Sequence, residues 1–379
     1  MFITKLFREF LESEKSGGIF LIVCTFFSLL ITNSTAGTSY INLWHSELFG
    51  SNIEHWINDG LMTFFFLLIG LELKREVHGI EKLKELTFPV FGAIGGIVVP
   101  AGIYILLNFG TETLKGAGIP MATDIAFALG ILSLLGSRVP VSLKLFLTAL
   151  AVIDDLCAIL IIAIFYSKAI LIYNLLISIG VFGVLLLFNK LKIRFLIIYI
   201  AGGVVMWYFM HLSGVHATIA GVLLAFTIPF NVDKEKCSSD KLQHILHKPV
   251  AYFVLPLFAL ANTAIIISSD FGNAAFKSYS IGIALGLILG KPIGIFLMSY
   301  LGSLLGFYKL PQELNWKMIF GVGLMCGIGF TMSIFITLLA FENTEIINNS
   351  KIIILISSFT SGILGYFYLK YNIKESPKG

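Results

Sequence analysis

The run at residues 141–166, VSLKLFLTALAVIDDLCAILIIAIFY, decides how the chain is to be read. It is long enough to span a bilayer, which takes about 20 apolar residues of helix. Yet Asp154 and Asp155 stand side by side in its middle. A single aspartate at the centre of a membrane helix costs about 2.5–3.5 kcal/mol, so this pair must face protein or water and be neutralised there. Cations or protons are the obvious neutralising partners.

Outward from this run, the composition is that of a polytopic membrane protein. Of 379 residues, 57% are hydrophobic and 13% charged, against roughly 25% charged in a soluble domain. Twelve apolar runs follow one another, at about 17–32, 56–73, 87–108, 118–135, 141–166, 169–188, 194–211, 214–230, 249–268, 279–305, 318–340 and 351–369. They are numbered segments 1 to 12. The expected fold is all-α, a single integral membrane domain over 1–379 with about twelve transmembrane helices and an amphipathic surface helix at 1–16. An even number of crossings puts both termini on one side. Of the 26 lysines and arginines, 21 lie on the side of the termini, four on the other, and Lys291 lies inside a run. Cytoplasmic loops are enriched in positive charge, so both termini and the 1–16 helix are predicted to be cytoplasmic. The extracytoplasmic loop at 35–55 alternates small polar and β-prone residues and suits a hairpin. The cysteines Cys24, Cys157, Cys237 and Cys326 form no CxxC pair and read as packing residues.

Five acidic residues fall within or at the margins of these runs: Asp59, Glu72, Asp124, Asp154 and Asp155. Asp59 and Glu72 sit near the ends of segment 2, where a carboxylate reaches water, and a structural role is favoured for Asp59. Asp124, Asp154 and Asp155 have no such exit, and intramembrane ionisable groups mark ion paths or proton relays. Lys291, in Gly290-Lys291-Pro292, is as costly as the aspartates, and an ion pair with one of them is its simplest compensation. Successive helix residues point about 100° apart. One aspartate can therefore pair with Lys291 while the other faces a cavity.

Segments 4 and 11 are interrupted. The first reads Gly116-Ala-Gly-Ile-Pro120-Met-Ala-Thr123-Asp124, the second Gly321-Val-Gly-Leu-Met-Cys-Gly327-Ile-Gly329-Phe-Thr331-Met-Ser333. Both suggest broken helices with exposed backbone dipoles at mid-membrane, and such breaks in corresponding positions of two halves point to an inverted-repeat transporter. Asp124 suits the positive N-termini of half-helices and Lys291 the negative C-termini.

Several motifs carry a resemblance over nearly the whole chain: Gly60-Leu-Met, Gly70-Leu-Glu-Leu-Lys-Arg-Glu76, Pro120-Met-Ala-Thr-Asp-Ile-Ala-Phe127, Val152-Ile-Asp-Asp-Leu156, Gly214-Val-His-Ala-Thr218, Gly290-Lys-Pro-Ile-Gly294 and Gly327-Ile-Gly-Phe-Thr-Met-Ser333. In this order and spacing they resemble the NhaA family of bacterial Na+/H+ antiporters. The resemblance implies inverted three-helix repeats, segments 3 to 5 against 10 to 12, with crossed discontinuous helices in segments 4 and 11. It implies a metal-ion site at Asp155 and Asp154 with Thr123 and Asp124 nearby, Asp155 being the principal Na+ or Li+ ligand, and Lys291 paired to Asp154. Proton transfer then falls to Asp154, Asp155 and Lys291, and the pH response to Glu72, Arg75, Glu76, His244 and His247. Gln243 stands where many members carry a carboxylate, and Lys248-Pro249 replaces a His-Pro-Trp order. Also implied are a secondary transporter rather than an enzyme, no cofactor, no nucleic-acid partner, a homodimer in the lipid bilayer, and the bacterial inner membrane.

Two other classes use membrane carboxylates. An intramembrane aspartyl protease places its two aspartates on different helices and has no need of Lys291, and a cation channel can line a pore with carboxylates. Broken helices with a buried lysine fit alternating access better than either. Reporter fusions check the topology: alkaline phosphatase inserted in 35–55 should be active and a fluorescent protein fused after residue 379 should fluoresce, and the reverse pattern would overturn it.

Overall fold

The computed structural model describes residues 14–79, 83–166, 171–230, 238–267 and 271–373. The amphipathic helix expected at 1–16 lies mostly outside the described residues; the first described helix is Glu14–Thr32. All twelve apolar runs contain helix, and the expected all-α fold is found. Among the described residues eight helices are long and apolar enough to cross a bilayer, or up to ten when each bent pair is one span. Segment 8 falls short because its helix is only Ile219–Thr227. At 1.5 Å per residue, nine residues rise about 13 Å, less than half a bilayer core.

By its internal contacts the chain divides into two compact units. The first comprises Met1–Gly37, Lys82–Ala158 and Thr263–Gly379. Two triplets in it share one order of parts: a long helix, an interrupted segment, a long helix. In segments 3 to 5 these are Leu83–Asn108, then the 3-10 helix Glu112–Met121 with Ile125–Ser133, then Val141–Phe165, which runs on past Ala158. In segments 10 to 12 they are Ser278–Leu285 continuing through a π turn at Gly286–Gly290 into Lys291–Leu304, then Trp316–Cys326 with Phe330–Ala340, then Thr344–Asn372.

Small residues set the distance between these triplets. A Cβ on Gly95 would collide with the carbonyl oxygen of Gly294, and a Cβ on Gly294 with that of Gly95. The Leu83–Asn108 and Lys291–Leu304 helices thus cross backbone to backbone, a contact only glycine allows. Lys291 lies just one turn before this crossing, directly after the π turn, a distortion common at functional sites. A Cβ on the adjacent Gly96 would lie 3.8 Å from Asp154 Oδ1.

The second unit comprises Thr38–Glu81 and Ile159–Asn262. Its helices Met62–Gly79 and Ile219–Thr227 meet at Gly70, where a Cβ would lie 2.7 Å from that of Ala225. Lys74, one of the basic residues assigned to an inner loop, is buried instead. Its Nζ donates to the carbonyls of Phe226 at 2.8 Å and Ile228 at 2.5 Å. These lie at the end of Ile219–Thr227, where a cation complements the helix dipole and the long stem lets the charge reach it.

The hairpin expected at 35–55 is present but small. Glu47 and Leu48 pair with Asn52 and Ser51 around Phe49 and Gly50, both at positive φ as a tight hairpin turn requires. The β-prone stretch before it forms the helix Gly37–His45 instead. There Tyr40 and Trp44, four residues apart, pack edge to face, a pairing that helical spacing provides. Gly95→Leu should lower thermal stability by about 1–3 kcal/mol or more by overpacking the crossing. Melting of the purified protein checks this, and an unchanged midpoint would contradict it.

Candidate ion-binding site

The site is built where the two interrupted segments cross. After Met121 the helix is broken at 122–124, with Ala122 and Asp124 extended, before Ile125–Ser133 begins. In segment 11 Trp316–Cys326 ends at Gly327, and Phe330–Ala340 resumes at a 48° bend. The breaks face each other: Asp124 N–H donates to Ile328 O at 2.7 Å, and the Thr123 hydroxyl lies 3.1 Å from Cys326 O.

Four helix ends therefore lie inside the protein, and each leaves backbone groups without intrahelical partners. Asp124 serves two of them. Its Oδ1 accepts from Phe127 N at 3.0 Å, capping its own helix, and its Oδ2 accepts from the N–H and the hydroxyl of Thr331 at 3.1 and 2.5 Å, at the start of Phe330–Ala340. A carboxylate is the right group for two converging positive helix ends. Ser358 Oγ adds a third acceptor, for Gly329 N at 3.2 Å and Phe330 N at 3.1 Å.

Beside this crossing lie Asp154, Asp155 and Lys291, each with at most 1% of its surface exposed. Lys291 Nζ is 2.5 Å from Asp154 Oδ2 and 2.6 Å from Thr123 Oγ1. The Thr123 hydroxyl is also 2.9 Å from Asp154 Oδ2. Thr123 accepts from the ammonium and turns its one proton to either Asp154 or Cys326 O, so it joins the ion pair to a helix end. Asp154 Oδ1 is buried and makes no hydrogen bond to any described residue. Asp155, on the same helix, is wholly buried. Such oxygens suit a hard cation or a proton.

The residues expected to set the pH response are placed elsewhere, in the second unit. Glu72 is half-buried and Arg75 exposed on Met62–Gly79, and His244 and His247 are exposed on Ser238–Pro249, which packs against that helix. The Glu76 side chain lies outside the described residues. Gln243 is buried. His216, in the Gly214-Val-His-Ala-Thr218 motif, has its Nε2 3.0 Å from Tyr166 O. Reading the sequence missed Lys74, Thr331 and Ser358 as partners of helix ends. Thr331 stood within a quoted motif, whereas a lone serine in segment 12 carried no signal.

Fold and site together define a multi-pass membrane protein with a buried carboxylate pair beside crossed, interrupted helices. The chain matches the family model for Na+/H+ antiporter 1 over residues 8–369. It is 64% identical over 378 residues to the Na(+)/H(+) antiporter NhaA of Flavobacterium psychrophilum, covering 99% of this chain and 98% of that one. It is 54% identical over 377 residues to the NhaA antiporter of Cytophaga hutchinsonii, with 99% and 97% covered, and 46% identical over 375 residues to that of Vibrio vulnificus, with 97% and 96% covered. The chain belongs to the NhaA family of Na+/H+ antiporters.

Removing one member of a buried ion pair typically costs about 3–5 kcal/mol because the other charge is left uncompensated. Lys291→Met should accordingly destabilise the protein by that order, and adding Asp154→Asn should recover much of the loss. Thermal melts of the single and double variants check this; a double variant no more stable than the single would contradict the pairing.

Proposed function

We propose that this chain is an electrogenic antiporter that extrudes Na+ or Li+ across the bacterial inner membrane in exchange for entering protons, contributing to sodium and pH homeostasis. The observation that carries the reading is the divided environment of Asp154: one oxygen is held by Lys291 and Thr123, and the other is buried without a hydrogen bond to a described residue, next to the buried Asp155.

Asp155 is the principal ligand, with Asp154 completing the oxygen set and Thr123 positioning it. Asp124 contributes through its field, since its hydrogen bonds go to helix N-termini. A buried carboxylate must be neutralised by a cation or by a proton, so Na+ and H+ compete for the same oxygens. Facing the cytoplasm, Na+ displaces protons; facing outward, protons displace Na+, and rocking of one bundle against the other exchanges access.

Two proton carriers are available per Na+, either both aspartates or Asp154 with Lys291. Release of two protons for each Na+ bound moves one net positive charge inward per cycle. The membrane potential then adds about 2.3 kcal/mol per 100 mV to extrusion. Both termini are cytoplasmic in this reading, and Glu72, Arg75, Glu76, His244 and His247 tune activity with pH. A homodimer forms through the 35–55 loop, whose hairpin tip Phe49 is 89% exposed.

The test is reconstitution into vesicles with an imposed pH gradient and an internal pH dye. Addition of Na+ or Li+ should collapse the gradient for the wild type and leave it intact for Asp155→Asn, which should still fold. Exchange retained in that variant would overturn the assignment.

A further inference from the structure

A second constellation lies in the other unit, at the start of segment 2 and the end of segment 7. His55 and Asp59 are four residues apart at the π turn Trp56–Leu61, so their side chains share one face, and His211 ends Leu196–Leu212. Asp59 Oδ2 lies 3.5 Å from His55 Nε2 and 3.7 Å from His211 Nδ1, and the three ligand atoms all fall within 4.8 Å of one another. Both spacings are within ion-pair reach, so Asp59 faces the two imidazoles at once and the three groups gather around one point.

We propose that His55, Asp59 and His211 form a binding site for a divalent late transition-metal cation of the Zn2+ type. Zinc binds imidazole nitrogen at about 2.0–2.1 Å and carboxylate oxygen at about 2.0–2.2 Å, so in a tetrahedron its donor atoms stand roughly 3.4 Å apart. The two Asp–His spacings are already close to that edge, and a small turn of the half-exposed imidazole rings closes the third.

The surroundings hold the geometry. Trp207 stacks on His211 with 10° between the rings, stacks on Trp56, and its indole N–H is 3.3 Å from the Asp59 carbonyl oxygen. One side chain thereby joins the two chain segments that supply the ligands. The side chains of His55 and His211 are 44% and 39% exposed, which admits an ion from water and leaves the fourth position to a water molecule. Two imidazoles with one carboxylate select a borderline cation over Na+ or Mg2+, which prefer all-oxygen sets. This site is therefore chemically distinct from the one at Asp154 and Asp155, and it does not depend on the transport reading. When occupied it clamps the start of segment 2 to the end of segment 7.

The test is Zn2+ titration of the full-length purified chain, made without a polyhistidine tag, by calorimetry and by the visible absorption of Co2+ in its place. One saturable Zn2+ per chain is expected, with a Co2+ spectrum of low coordination number. Affinity should fall at least tenfold in each of His55→Gln, His211→Gln and Asp59→Asn and be kept in His244→Gln/His247→Gln. Should His211→Gln elute as aggregate, His55→Gln decides alone, because its ring is the most exposed of the three ligands. Absence of saturable binding below millimolar Zn2+, or affinity unchanged in His55→Gln, would overturn the proposal.

Discussion

The ion pair between Lys291 and Asp154 is the constraint on which the rest of the arrangement depends. Neither charge can be left alone away from water, so the two helices that carry them must meet at one point. Glycine fixes the neighbouring crossing: the Gly95 backbone of Leu83–Asn108 touches that of Gly294 just one turn beyond Lys291, and any side chain there would push those two helices apart. The pair also sets the chemistry available. Lys291 and Thr123 hold Oδ2 of Asp154 and leave Oδ1 buried without a hydrogen bond to a described residue; in the proposed cycle this is the oxygen for which a cation and a proton compete.

Interrupting two helices inside a membrane exposes backbone groups that lipid cannot satisfy. Here the breaks satisfy one another. Asp124 takes N–H groups from both half-helices, Ser358 takes two more, and the Thr123 hydroxyl reaches the carbonyl end of Trp316–Cys326. Asp124, which the resemblance places near the ion site, hydrogen-bonds in the fold to the N-termini of two half-helices. Thr123 belongs to both systems, so a shift of the crossed breaks is coupled directly to the ion pair.

Much of this was legible from residue types alone. A carboxylate or an ammonium in an apolar run has few reasons to be there, so Asp124, Asp154, Asp155 and Lys291 announced themselves, and glycine and proline marked the breaks. Less legible was what depends on three-dimensional neighbours. Lys74 reads as a cytoplasmic cation by its place at the end of an apolar run, yet its stem carries it onto the carbonyls ending Ile219–Thr227. Asp59 reads as a carboxylate within reach of water, but its histidine neighbour His211 is distant in sequence and becomes visible only once the helices are packed. The loop helix Gly37–His45 misled because Tyr, Ile and Trp favour strands, while the Tyr40–Trp44 contact rewards a helix.

In the proposed cycle Na+ and protons compete for one set of carboxylate oxygens. The most direct test of this competition is the apparent Na+ affinity of the reconstituted protein, measured as transient current after Na+ jumps at a series of pH values. The half-saturating Na+ concentration should rise about tenfold per unit of acidification for each proton that competes, and so up to about a hundredfold for two, while the saturating current stays constant. A half-saturating concentration independent of pH, with only the maximal current changing, would mean that protons act elsewhere and that the two ions do not compete.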